Sequence, residues 1–265
     1  RAHKAAQRAL QLLAETPELG DDARFRQLAR LLAAGSLHRL QDRTRRDSTV
    51  KPLLKAERNG TDEAARLLSA EWALDDRDAA RALEMLDALP PGAARRTQAL
   101  RLRLQATRMA RQPLEALRTA RLLANHQAFS PVVAQTLLRS LVGEALDTAH
   151  DAQQLRRLWS QVDAVDRRDP QVVSRAAQRA VQLGAADDAR QWLRPFWDRL
   201  GELPREDREA VALALIGART GLGADWLPRL ESAAQSFGHE AAVVAAVGMA
   251  LAERQLWGKA RKLLE

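Results

Sequence analysis

Six apolar positions recur along this chain of 265 residues at the spacing of one helical hairpin. They are separated by 34, 39, 34, 37 and 34 residues, and they are Ala82, Ala116, Leu155, Ala189, Trp226 and Ala260. A period of this length is typical of a pair of helices that repeats, with each pair stacked on the next. One pair cannot bury its own apolar face, so the spacing predicts a stack of helix pairs that share one continuous core.

Composition indicates that the repeating unit is helical. Alanine, leucine, arginine and glutamine are abundant, and all four favour helices. The chain has no tyrosine and no sustained alternation of apolar and polar residues, so strands are not expected. It also has no cysteine, which excludes disulfides, thiol catalysis and thiolate metal sites. We therefore predict an all-α fold.

Turn signals divide the chain into two basic N-terminal helices and about six later pairs. Breaks are expected at Pro17–Gly20 and at the Asn59–Gly60 turn. Residues 1–60 are predicted to pack as a basic segment on an array formed by residues 61–265. The predicted pairs are 61–74 with 77–89, 93–109 with 113–125, 130–147 with 151–165, 170–183 with 186–200, 204–220 with 224–236, and 239–254 with 257–265.

The formal charge of +8 is uneven along the chain. Residues 1–60 hold 13 lysines and arginines against 7 aspartates and glutamates, a net of +6. The densest basic positions are Arg39, Arg43, Arg45, Arg46, Lys51 and Lys55. Such a segment suits an anionic membrane surface or nucleic acid, and the alternative is an ordinary solvated helix face. Nucleic acid binding would rest on the basic charge alone and is not expected.

The helix pairs resemble tetratricopeptide (TPR) hairpins. In the last pair Val244, Val247, Gly248, Leu251 and Ala260 match the TPR pattern of bulky and small residues. The 39-residue interval departs from the pattern and implies an insertion around residues 144–150. The resemblance implies a right-handed superhelical solenoid of TPR-like antiparallel hairpins, in which the first helix of each pair lines a groove.

Carried onto this sequence, the groove positions of TPR hairpins are polar and basic. They are Gln98, Arg101, Gln105, Arg108, Gln171, Ser174, Gln178, Gln182, Arg208 and Arg219. Such a groove suits an acidic peptide, the carboxylates of a protein partner or the propionates of a porphyrin. The alternative is again a solvated face without a partner.

The chain as a whole resembles the HemY family of proteobacteria. The segments that carry the resemblance are 28–46 (LARLLAAGSLHRLQDRTRR), 158–170 (LWSQVDAVDRRDP), 172–189 and 248–265 (GMALAERQLWGKARKLLE). The resemblance implies a Gram-negative inner-membrane protein with two membrane helices before a helical-repeat region, which would then lie on the cytoplasmic side. It also implies an association with haem and protoporphyrin biosynthesis without an established catalytic reaction.

These features give three expectations for function. The first is a non-catalytic, membrane-tethered scaffold or regulator that binds proteins, with haem-biosynthetic enzymes as candidate partners. The second is a tetrapyrrole-binding carrier, and the third is a TPR adaptor unrelated to haem.

No group of residues with catalytic spacing supports an enzyme. The histidines are dispersed, with no pair three or four residues apart: His3, His38, His126, His150 and His239. Acidic clusters fall at helix starts, where they stabilise the helix end. We therefore expect no catalytic residues, no metal and no cofactor, with haem or porphyrin left as a candidate ligand. The six tryptophans are expected to pack in the core, or alternatively to stack on a base or a porphyrin.

Overall fold

The computed structural model describes residues 2–15, 23–55 and 61–264, and in these ranges the chain is helical without strands. The helices are α1 (Ala2–Glu15), α2 (Ala23–Arg39), α3 (Arg43–Leu54), α4 (Thr61–Asp75), α5 (Ala79–Asp87), α6 (Pro91–Ala94), α7 (Thr97–Met109), α8 (Pro113–Asn125), α9 (Pro131–Asp147), α10 (Ala152–Gln161), α11 (Pro170–Gln182), α12 (Ala186–Trp197), α13 (Arg205–Gly217), α14 (Leu227–Ser236), α15 (Ala241–Glu253) and α16 (Trp257–Leu264). Short 3₁₀ turns cover Asp166–Arg168, Leu200–Glu202 and Ala224–Trp226. The predicted breaks at Pro17–Gly20 and Asn59–Gly60 lie outside the described residues.

The all-α prediction is confirmed, and the predicted helix pairs lie close to those observed. Pairs α4–α5, α7–α8, α9–α10, α11–α12, α13–α14 and α15–α16 correspond to the six predicted hairpins. One first helix differs: the predicted 93–109 segment is divided between α6 and α7. The 39-residue interval is accommodated by α9, which has 17 residues where α7, α11, α13 and α15 each have 13.

The chain forms two compact units, residues 1–134 and 135–265. In the first unit α2 packs on α1, α3 and α4, while α7 packs on α4, α5 and α8. In the second unit α13 packs on α11, α12 and α15, and α15 also packs on α14 and α16. Successive first helices therefore contact one another inside each unit. That residues 1–60 form a segment distinct from an array of residues 61–265 stays a prediction.

A residue with a left-handed backbone conformation (positive φ) recurs in the turn after the first helix of most pairs. Its φ lies between 55° and 77° at Gln41, Arg77, Arg111, Gly184, Gly221 and Gln255. Such a residue ends one helix and turns the chain back into the next. Five residues after each of the last five stands one of the recurring apolar positions, Ala82, Ala116, Ala189, Trp226 or Ala260.

The same register extends to the pair α2–α3, which the apolar spacing did not include. Five residues after Gln41 stands Arg46, so an arginine occupies the position that is apolar in the other pairs. Val50 and Leu53, on the same helix, are buried and pack with Ala34 and Trp72. The pair α2–α3 therefore repeats the local geometry of the later hairpins.

The recurring apolar positions lie in the packed interior between helices. All six are buried, with at most 4% of any side chain exposed. Trp226 is as buried as the alanines and meets Trp197 edge-on, with ring centroids 6.3 Å apart. The expectation that the tryptophans pack in the core is wrong for Trp257, which is 65% exposed.

Candidate protein-binding surface

Helix α7 presents a polar face without carboxylates. Gln98, Arg101, Gln105 and Arg108 are all exposed, and their spacing of three, four and three residues places them on one side of the helix. The α7 sequence (TQALRLRLQATRM) holds three arginines and no acidic residue. Arg101 makes no ion pair with any residue in the described ranges. We call these four side chains the α7 face.

Other arginines around the α7 face are engaged by acidic residues of the neighbouring pair. Arg103 donates to Asp87 at 2.7 Å, and Arg96 donates to Glu63 at 3.2 Å. Both partners belong to α4 or α5, so these ion pairs tie α7 to the preceding pair. The positive charge of Arg101, which these ion pairs do not use, is therefore on the outward side of α7.

The predicted groove positions on α11 are less available. Gln171 donates to the Asp207 carboxylate at 2.7 Å, and Gln182 accepts from Arg179 at 2.9 Å. Ser174 is only 3% exposed, so its place in a partner-binding groove is corrected: the helix turns this hydroxyl into the protein. Gln178 is exposed. This helix offers amides and no unpaired charge at the predicted positions.

Arg208 is also corrected, because it bridges two helices inside the second unit. Its Nε lies 3.1 Å from both carboxylate oxygens of Glu240, and its guanidinium stands 4.8 Å from the Phe237 ring centroid. The hydrogen bond from Arg208 outweighs burial and lowers the pKa of Glu240 below its ordinary value. The same hydrogen bond raises the pKa of Arg208. Because Glu240 is 32 residues away in the sequence, the pattern of one helix gave no sign of this pair.

Arg219 lies two residues beyond the end of α13 and is held there by polar contacts. Its Nη1 donates to the carbonyl oxygen of Ile216 at 2.8 Å, and its Nε lies 3.9 Å from a Glu253 oxygen. The first interaction satisfies a carbonyl at the helix C-terminus. Of the predicted groove, the α7 face is thus the part that combines exposure with arginine.

The net charge lies entirely in the first unit. Residues 1–134 contain 24 lysines and arginines against 16 aspartates and glutamates, a net of +8, whereas residues 135–265 contain 18 of each. Within residues 91–134 there are eight arginines and a single glutamate, Glu115. Residues 91–134 therefore carry a net charge of +7 and form a second basic segment of the first unit, besides residues 1–60.

The basic positions assigned to a membrane-proximal surface divide into two groups. The exposed ones are Arg39, Arg43, Arg45, Lys51 and Lys55. Arg46 is 3% exposed and cannot present its charge to a lipid surface, so this assignment is corrected. Arg46 stands at the position that is apolar in the other pairs, five residues after the left-handed residue. This explains why its side chain points inward.

Arg46 is surrounded by partners from three helices and one turn. Its Nε donates to Asp47 at 2.9 Å, and its Nη2 donates to Asp76 at 2.9 Å. Its Nη1 donates to Nδ1 of His38 at 2.9 Å, and its guanidinium carbon lies 5.7 Å from the Trp72 ring centroid. We call this group the Arg46 cluster. Because every polar edge of the guanidinium is used, the buried charge is compensated.

A second arginine supports each carboxylate of the Arg46 cluster. Arg43 reaches Asp76 at 2.8 Å, and Arg81 reaches Asp47 at 2.9 Å. Burial acts to raise the pKa of Asp47, but the hydrogen bonds from Arg46 and Arg81 outweigh it and hold that pKa below its ordinary value. Burial likewise acts to lower the pKa of Arg46, and its two carboxylate partners raise it overall.

His38 has both ring nitrogens engaged. Arg46 can only donate, so Nδ1 of His38 accepts, and the proton is placed on Nε2, which donates to Asp75 at 3.0 Å. The ring also stacks on Trp72 with centroids 5.5 Å apart. No lone pair of this ring is left for a haem iron. His126, His150 and His239 are exposed, and the side chain of His3 lies outside the described residues.

Among the residues that the structure describes, no cluster of three or more histidine or acidic side chains is arranged to hold a metal. A cleft of about 470 Å³ opens in the second unit between the end of α12 and α14. Trp197, Phe237 and Leu200 form its apolar part, and Arg229 on its rim is paired with Asp198 at 2.6 Å. Its lining contains no histidine.

Comparisons with protein-family models, with curated proteins and with solved structures found no match for this chain. Within the described ranges, none of the helices combines the length and the apolar character needed to cross a bilayer. The site is therefore assigned from its own chemistry, which is that of an exposed arginine- and glutamine-bearing helix face.

Proposed function

We propose that this protein is a non-catalytic scaffold or regulator that binds another protein through the α7 face. The observation that carries the proposal is an exposed row of two arginines and two glutamines on a helix that has no acidic residue. Guanidinium groups bind carboxylates with two parallel hydrogen bonds, and amides pair with peptide groups. In this proposal the helix pairs continue as a right-handed TPR-like solenoid.

The proposed biological setting comes from the resemblance of the four segments quoted above. It is a protein held at the inner membrane of a Gram-negative bacterium, with its helical region on the cytoplasmic side. The proposed partners are enzymes of haem and protoporphyrin biosynthesis. The exposed basic residues Arg39, Arg43, Arg45, Lys51 and Lys55 would then lie near anionic lipid.

Affinity purification of the tagged protein from detergent-solubilised membranes tests this proposal. The parent should recover a specific protein partner, and the double variant Arg101→Glu, Arg108→Glu should lose it. The matched control is Arg157→Glu, Arg168→Glu, which reverses the charge of two exposed arginines in the second unit. If both variants retain the partner equally, the α7 face is not the binding surface. If the recovered partner has no role in haem synthesis, the protein is a more general TPR-like adaptor.

The competing candidate is a tetrapyrrole carrier, which the basic α7 face favours through the propionates of such ligands. Titration with haem or protoporphyrin should then give a saturable Soret shift that weakens in Arg101→Glu, Arg108→Glu. His38→Ala should leave that shift unchanged, because neither nitrogen of His38 is available to iron. A flat titration would eliminate the carrier and leave the protein-binding proposal standing.

A further inference from the structure

The cleft beside α14 in the second unit has the size of a small-molecule site. Its volume of about 470 Å³ lies within the range of about 300–1,000 Å³ in which proteins hold small ligands. Residues from the end of α12, from the 3₁₀ turn Leu200–Glu202 and from α14 line it. All of these belong to residues 135–265, so the cleft is formed within one compact unit. We call it the α14 cleft.

Two aromatic rings that line the α14 cleft are held in fixed positions. Trp197 is 3% exposed, and its Nε1 donates to the carbonyl oxygen of Arg229 at 3.3 Å, so its one polar atom is already used inside the protein. The Phe237 ring centroid lies 4.8 Å from the guanidinium carbon of Arg208, which Glu240 holds in place. Rings that are fixed in advance lose little freedom on binding, and they favour a flat aromatic ligand.

The α14 cleft also contains two hydroxyls on one side of α14. Ser232 and Ser236 are four residues apart and exposed, and neither hydroxyl has a hydrogen-bond partner within the described ranges. A serine hydroxyl both donates and accepts. The pair therefore offers hydrogen bonds to a neutral polar group of a ligand, such as an amine, a hydroxyl or a carbonyl.

The charges in the lining of the α14 cleft cancel one another. The lining holds one arginine and one aspartate, and Arg229 donates to Asp198 at 2.6 Å. The Nη1 of Arg229 is used as well, because it donates to the carbonyl oxygen of Asp225 at 2.6 Å. A charged ligand would lose its water here without gaining an ion pair, whereas an uncharged ligand avoids that cost. An uncharged ligand therefore fits this cleft, in contrast to the carboxylates proposed for the α7 face.

Gly201 lines the α14 cleft and leaves room beside Phe237. A Cβ at this position would lie 3.9 Å from Cζ of Phe237, which is an ordinary van der Waals contact. The φ of Gly201 is outside the left-handed region, so another residue is accepted here without backbone strain. A larger side chain at position 201 should therefore fill the cleft without displacing its aromatic wall.

We infer that the α14 cleft binds a small, uncharged aromatic molecule that carries a hydrogen-bonding group. The aromatic part of this ligand lies among Trp197, Leu200 and Phe237, and its polar group reaches Ser232 or Ser236. This inference adds a ligand site in the second unit to the proposed scaffold, and it does not depend on the α7 face.

Fluorescence titration of the full chain with N-phenyl-1-naphthylamine tests the inference. This probe is uncharged, carries one N–H group and fluoresces strongly only in apolar surroundings. Its analogue 8-anilinonaphthalene-1-sulfonate has the same aromatic skeleton with a negative charge added. We expect saturable binding of the uncharged probe and binding of the sulfonate that is weaker by about tenfold or more.

Two variants locate the bound probe. Gly201→Leu should weaken binding of the uncharged probe by about tenfold or more, because the leucine occupies the space that the probe needs. Ser232→Ala, Ser236→Ala should weaken it by about fivefold through the loss of one hydrogen bond. The matched control is Gly258→Leu, at a glycine of the same unit with open space around it, and it should leave binding unchanged. Far-UV circular dichroism checks that each variant is folded.

The outcomes that would overturn the inference are distinct from those of the affinity purification. They are equal binding of the uncharged probe to the parent and to Gly201→Leu, sulfonate binding as tight as that of the uncharged probe, and no saturable binding at all. If Gly201→Leu does not fold, unchanged binding in the serine variant has the same meaning. Displacement of the probe by a recovered protein partner would also overturn the inference, because the cleft would then belong to a protein interface. In each case the α7 face is still tested by its own variants.

Discussion

Replacing Arg46 by methionine tests whether the buried charge cluster holds the first helix pairs together. The substitution keeps most of the packing of the arginine stem while it removes the charge and all three hydrogen-bonding edges. Asp47, Asp76 and His38 then lose a shared partner at 2.9 Å each. The expected result is a lower free energy of unfolding.

The size of the loss follows from how buried each partner is. Removing one member of a fully buried ion pair costs about 3–5 kcal/mol. Here the side chains of Asp47 and Asp76 are 33% and 17% exposed, and each keeps a second arginine, Arg81 or Arg43. Solvent and these arginines offset part of the cost, so we expect Arg46→Met to destabilise by about 2–3 kcal/mol.

Urea-induced unfolding at pH 7, followed by far-UV circular dichroism, measures the effect, and hydrogen exchange locates it. Protection should fall in α2, α3, α4 and α5, and remain in the second unit. The matched control is Arg45→Met, the preceding residue, whose side chain is 72% exposed and lies 3.5 Å from Asp42. This control should change stability by less than about 0.5 kcal/mol. If Arg46→Met behaves like Arg45→Met, the cluster does not stabilise the fold.

The same variant changes the pH dependence of stability. The pKa of Asp47 is lowered in the folded protein, so its stabilisation is fully present above about pH 4, the ordinary range of the group, and is lost as the pH falls through the lowered pKa. Without Arg46 that pKa rises toward its ordinary value. Arg46→Met should therefore lose less stability than the parent between neutral and acid pH, and an equal or steeper loss would contradict the assignment.

Three further substitutions test other parts of the structure, each measured by urea unfolding. Ala82→Leu, at a position 0% exposed, should destabilise by about 1–3 kcal/mol through overpacking, whereas Ala80→Leu on the exposed side of the same helix should be nearly neutral. Glu240→Gln should cost about 1–3 kcal/mol at pH 7, and the difference should disappear in acid, where the parent also loses the carboxylate whose pKa is lowered. Gly184→Ala should cost about 1 kcal/mol from its left-handed φ of 73° alone, because open space surrounds the site, and Gly92→Ala, equally open and without that φ, should cost nothing.

Helix positions could be predicted from the sequence because local signals define them. Pro170 begins a helix, Gly184 ends a turn, and the apolar positions recur at hairpin spacing, all within one short window. The pair α2–α3 was missed as a repeat for an equally local reason. Arg46 stands at the recurring position of this pair, so the series of apolar residues at hairpin spacing begins only at Ala82.

Whether a side chain is used inside the protein or left to bind a partner could not be predicted in the same way. Arg101 and Arg208 both stand at predicted groove positions of a first helix, yet Arg208 is paired with Glu240, 32 residues further along the chain. Such pairing depends on which side chains a neighbouring helix turns toward it, and periodicity within one helix carries no information on that. The exposure of Phe25, Leu28 and Leu32 on α2 could likewise not be predicted, because amphipathic spacing alone does not tell whether another helix covers that face.

The uneven charge has a kinetic consequence. A first unit of net +8 attracts acidic molecules from beyond contact distance, whereas the second unit, of net charge zero, does not. At physiological ionic strength this attraction extends about 8 Å, so it acts mainly on the rate of encounter. Binding at the α7 face should then respond to salt mainly through its association rate.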